Sequence, residues 1–103
     1  MWNIEAMTGY KPISTFWEDF SIADAFGLDA IKDTYERASK EWKHDYKMIT
    51  ELVMVLNHRC WLHYEQGRME ISKLYSKLYY ELDAWCLDNL KGKEFEYYYD
   101  TTD

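Results

Sequence analysis

Glycine, proline and cysteine are all scarce in this chain of 103 residues, which has 4, 1 and 2 of them. Each scarcity excludes something. Four glycines, none of them clustered, cannot build the loop of backbone N–H groups that cradles a phosphate. The single proline, Pro12, leaves everything after it free to run in helices. Two cysteines, Cys60 and Cys86, make no disulfide framework, and a chain of this size needs none to fold. Hydrophobic runs are short as well. The longest aliphatic one is LVMVL at 52–56, far below the roughly 20 residues that span a bilayer. Serines are few, and none sits in the strand-to-helix elbow of an activated nucleophile.

What the chain has is apolar and aromatic material. With 48% hydrophobic residues and 5 Trp, 10 Tyr and 4 Phe, it has ample surface to bury despite 30% charge, so one folded domain is expected. The net charge is −7 and falls at the two ends, in residues 1–27 and 81–103, while the middle is close to neutral. Such a surface repels phosphate backbones and anionic lipid, which argues against direct nucleic-acid or membrane binding. Lys32, Lys40, Lys43 and Lys47 alternate with Glu36, Glu41 and Asp45 at helix-neighbour spacing, and read as a solvated, ion-paired face. The opening MWNIEAMTGY has neither a basic leader nor an apolar run, so no signal peptide is expected. A cytoplasmic location with reduced thiols follows.

Residues 1–14, which hold Gly9 and Pro12, read as an N-terminal arm, and 15–103 as a single helical domain. In TFWEDFSIADAFG (15–27), Thr15 with Glu18 predicts a reciprocal capping box, and Gly27 a left-handed stop. Phe16, Phe20, Ala23 and Phe26 gather on one side of this helix, with Trp17 and Ile22 on two others. From Ile31 to Tyr64 apolar residues recur about every 3.7 positions, a helical period throughout. One helix of that length would outrun a compact chain, so a break is predicted at Lys43–Asp45, with Asp45 as the new cap. Gln66 and Gly67 end the next helix; another carries Ile71, Leu74, Tyr75, Leu78, Leu82, Trp85 and Cys86 on one stripe and stops by Gly92. Residues 93–99 suit a last short turn before a TTD tail, with YYY as the single weak β signal. The fold expected is all-α, a compact antiparallel bundle of four to five helices with short turns. LVMVL is apolar on every side, which makes its helix the central one.

Metal and catalytic chemistry is thin. Glu41 and His44 form one E-x-x-H pair, where a carboxylate-bridged di-iron bundle needs two and further glutamates. Of His58, Cys60 and His63, only Cys60 and His63 share a helix face, and two ligands do not make a zinc site. In a hairpin turning near residue 67, Cys60 lies opposite about residue 74, some 18 Å short of Cys86, so no disulfide is expected. Asp19 is the acid placed nearest the apolar face of the first helix, where burial would raise its pKa. No catalytic residue, metal or cofactor is assigned. The aromatics are the remaining excess, and the off-stripe residues Trp17, Glu18, Ile22 and Asp24, with Tyr97, Tyr98 and Tyr99, are the partner-binding candidates.

The blocks TFWEDFSIADAFG, AIKDTYERA and ELVMVLNH, and NLKG followed downstream by TTD, resemble a family of short, uncharacterised proteins encoded on phages and other mobile elements of gut bacteria. The resemblance spans about 15–103 and implies a small helical protein made inside a bacterial host; it assigns no site residues. The expectation is a non-enzymatic accessory protein that docks a protein partner or a second copy of itself. One form of it would be an acidic inhibitor of a host nucleic-acid-binding or defence protein. The alternative is a small metal- or ligand-binding bundle. On the docking reading, Phe20→Ala should destabilise the fold, and Trp17→Ala should weaken association alone.

Overall fold

A computed structural model describes residues 12–102 and realises the all-α fold in five helices. These are α1 (Phe16–Phe26), α2 (Leu28–Trp42), α3 (Tyr46–Glu65), α4 (Met69–Asn89) and α5 (Lys93–Thr102). Residues 1–11 of the expected arm lie outside the described residues. The radius of gyration is 13.2 Å, the value a compact chain of this length should have. No helix among the described residues is long and apolar enough to cross a membrane.

The core is built around α3, which packs against each of the other four helices. The middle of the helix is enclosed on every side, which is why Leu52, Val53, Val55 and Leu56 are all buried, while Asn57, Trp61 and Tyr64 further along it are exposed. The long helical period breaks at 43–45 as expected. The Asp45 side chain accepts from the backbone N–H groups of Lys47 (3.1 Å) and Met48 (3.2 Å), satisfying donors that the new helix leaves unpaired. The lysines 32, 40, 43 and 47 are exposed. Lys43 lies over the Trp85 ring and Lys47 over those of Tyr46 and Tyr97, while the ion pair found along α2 joins Arg37 to Asp33.

Three local expectations are corrected. Thr15 and Glu18 form no capping box: the Thr15 hydroxyl donates to Asp19 Oδ2 (2.9 Å), and the N–H of Phe16 is met by Ser14 Oγ (3.2 Å). Gly27 does end α1, but with φ 105° and ψ −170°, an extended mirror-image conformation open to glycine rather than the left-handed helical one. It serves as the whole connection between α1 and α2. Lastly, α5 runs through the residues expected to be tail, to Thr102, and YYY is helical, because the Tyr98 ring is buried and its hydroxyl donates to Asp83 on α4.

Helices α3 and α4 form the expected hairpin. Ser72 Oγ donates to the carbonyl of Cys60 (2.9 Å), so Cys60 lies opposite residue 72, and both cysteines are free thiols. On α4, Leu74, Tyr75, Leu78, Leu82 and Cys86 are buried. Burial, with Asp83 nearby, pushes the Cys86 thiol up to about 12, which keeps it protonated and unreactive. Because Leu52 and Leu56 are fully enclosed, Leu52→Ala and Leu56→Ala should each cost about 2–5 kcal/mol in urea denaturation, through lost transfer energy and a cavity.

Candidate functional site

The chain's main concentration of buried polar chemistry centres on Asp24 of α1. Arg59 and His63 are one helical turn apart on α3 and so share a face, and Tyr75 projects toward them from α4. Asp24 Oδ2 accepts from Arg59 Nη2 and from His63 Nε2 (2.7 Å), and Oδ1 accepts from the Tyr75 hydroxyl. Because the carboxylate can only accept, His63 Nε2 carries the ring proton, which leaves Nδ1 to accept from Arg68 Nη1 at 3.5 Å. The imidazole also stacks on Tyr75, with ring centroids 5.7 Å apart and planes at 4°. Burial first, then donation to Asp24, holds the Tyr75 hydroxyl well above its ordinary range. Side-chain exposure is 10% at Asp24 and 13% at Arg59.

Arg59 Nη2, His63 Nε2 and the Tyr75 hydroxyl each meet an oxygen of Asp24, while the enclosed Arg59 Nε has no hydrogen-bond partner among the described residues, and together these bonds act as a lock that ties α1 to α3 and α4. Among the described residues no three His, Cys, Asp or Glu side chains come together as a metal set. Cys60 is bonded to Ser72, His63 to Asp24, and Glu41 and His44 are exposed on the surface, with His44 stacked against Trp42.

The lock sets the roll of α1, and the roll redistributes the residues expected to meet a partner. Asp24 is turned inward onto Arg59, His63 and Tyr75 and keeps 10% of its side chain exposed, at the wall of a hollow of about 430 Å³ that Ser21, Arg68 and Ile71 also line. Trp17, on the same side of the helix, is half-buried edge-on to His58 at 5.2 Å. The opposite flank faces out: Phe26, expected in the core, is 78% exposed, Ile22 is 60% exposed, and Asp19, expected near apolar neighbours, is exposed. Glu18 points to solvent. Of the three tyrosines, Tyr98 is buried and cannot reach a partner, Tyr97 packs edge-on against Tyr46 (5.3 Å), and Tyr99 is 54% exposed beside Phe95. The role of Trp17→Ala therefore changes from an association variant to a destabilising one.

Outside the lock, a groove of about 850 Å³ runs between α1 and α2. Buried Phe16, Ala23 and Ala38 form its floor, and exposed Ile13, Ile22 and Phe26 stand along its side. Its charged residues are Asp19, Asp33, Arg37, Glu41 and Asp45. At its α1 end, Glu51 of α3 is fully buried and accepts from the Ile13 N–H (2.9 Å) and the Ser14 hydroxyl, which fixes where the chain enters α1. Sequence reasoning missed Glu51, since an acid at the head of LVMVL looks like a boundary. A smaller hollow of about 330 Å³ lies among Val53, Met54, Trp61 and Tyr79.

Asp24→Ala should cost about 3–5 kcal/mol by urea denaturation, because it strands a buried guanidinium, and adding Arg59→Met should restore part of the loss. A second expectation concerns pH. His58 is lowered from 6.5 to about 4, by burial first and by Arg59 second. The unfolded chain then binds the extra proton between those values, so this part of the stability is complete above about pH 6.5 and is lost as pH falls toward 4. Urea midpoints measured from pH 7.5 to 4 should fall less steeply in His58→Gln than in the parent.

Set against known protein families, curated proteins and solved structures, the chain matches none of them, so its function has to be read from its own geometry.

Proposed function

We propose that the chain is a protein-binding accessory module of a phage or other mobile element, without catalysis of its own, and that the α1–α2 groove is its docking face. The observation that carries this reading is Phe26: a phenylalanine left 78% exposed one turn from exposed Ile22, in an open groove that exposed Ile13 lines at its other end. Apolar residues gathered at one concave place and ringed by charge have the anatomy of an interface, an anchor region with a polar rim. The buried chemistry speaks for the same reading, since the chain's polar side chains are engaged in holding helices together. The mobile-element setting is supported by the sequence blocks quoted above and by nothing in the geometry.

The test is a comparison of three variants as bait in the native host, after crosslinking. Phe26→Asp should leave the thermal melt within about 0.5 kcal/mol of the parent, as surface changes do, and abolish capture of the partner. Tyr99→Asp, at an exposed aromatic that does not line the groove, should retain capture. Trp17→Ala should melt early. A partner that is held equally by Phe26→Asp and the parent would refute the groove as the docking face.

A further inference from the structure

We infer that the groove takes an amphipathic helix from a partner protein, one that carries lysine or arginine about two turns apart beside an apolar stripe. This rests on the docking reading above and adds the chemistry of the occupant. The argument begins with shape. On α2, Ala30, Thr34 and Ala38 recur every fourth residue along the groove, so this wall is low and lets another backbone approach closely. The α2 wall runs from Ala30 to Trp42, about 18 Å at helical rise, which matches a partner helix of about 12 residues. Ile22 and Phe26 are one turn apart on α1, and such a pair packs between apolar residues spaced three or four apart on a facing helix.

Charge then selects the partner. The groove is lined by four carboxylates, Asp19, Asp33, Glu41 and Asp45, against one guanidinium, Arg37, so it stays negative even though Arg37 shares Asp33 at 3.0 Å and Asp45 also caps α3. Asp33 and Glu41 are eight residues apart, about 12 Å along α2, and cations seven or eight residues apart on the occupant would meet both. A second copy of this chain brings a net charge of −7 to the same place, and nucleic acid and anionic lipid are repelled by the same carboxylates. A basic amphipathic helix, with its apolar stripe on Ile22 and Phe26 and its cations on the rim, satisfies both requirements.

The experiment uses the full chain as bait against a displayed library of helix-forming peptides of about 16 residues. Leucine is fixed along one stripe, and the flanking positions are randomised among Lys, Arg, Glu, Gln and Ser. Recovered peptides should carry Lys or Arg at two positions seven or eight apart. Their binding should weaken about tenfold or more with Phe26→Asp, weaken similarly with Asp33→Lys combined with Glu41→Lys, and fall as salt rises. Peptides that need Phe26 but have neutral or acidic flanks would overturn the charge inference and leave the docking face standing. Peptides indifferent to Phe26→Asp, or no binders at all, would overturn both. A doubled mass in light scattering that Phe26→Asp returns to monomer would make the occupant a second copy, which also overturns the inference.

Discussion

The Asp24 carboxylate accepts hydrogen bonds from Arg59, His63 and Tyr75, and this one acid ties α1 to both helices of the central hairpin. Much of the remaining arrangement follows from it. An enclosed arginine would be costly alone, and an enclosed aspartate equally so, but each offsets part of the penalty of the other, with His63 and Tyr75 on the remaining carboxylate lone pairs and Arg59 Nε left without a hydrogen bond. The geometry they require allows one roll of α1. With that roll fixed, Trp17 is pressed against His58, Phe20 reaches Tyr75 edge-on at 5.9 Å, and Phe26 is carried to the outside. The groove is the other side of the same decision.

This explains which parts of the structure could be read from the sequence. Helix positions, the break at 43–45, the Asp45 cap and the central place of LVMVL all rest on periodicity and on local rules, and residues within a few positions of one another carry that information. The roll of α1 does not. On a helical wheel Asp19 and Asp24 lie about 70° to either side of the line through Phe16, Phe20 and Ala23, so periodicity gives them equal claims to burial. Arg59, 35 residues further on, decides between them. The same applies to Tyr97, Tyr98 and Tyr99: three identical neighbours receive three environments, and Asp83 on α4 selects the one that is buried. Glu51 was hidden for a similar reason, since its partners precede α1 and belong to no periodic segment.

The chain also keeps two kinds of acid apart. Asp24, Glu51 and Asp83 are turned inward, each accepting from side chains or backbone of another segment, and they hold helices in place. Most of the other acids are left at the surface and give the molecule its net negative charge. An acidic protein is thus stabilised from within by carboxylates of the same type that set its outward electrostatics. Helix α5 shares in both, with Tyr98 buried on Asp83 and Glu94, Glu96 and Asp100 facing water.

Helix α1 has 11 residues, below the length at which an isolated helix holds its shape in water. It is helical because it is docked. If the bonds to Asp24 open, α1 does not swing aside as a rigid flap; its backbone hydrogen bonds go with its contacts. Those amides therefore form one cooperative unit, exchanging with solvent together at the free energy of undocking. The groove has no existence apart from that unit, so one of its walls is present only in the fraction of molecules in which α1 is docked.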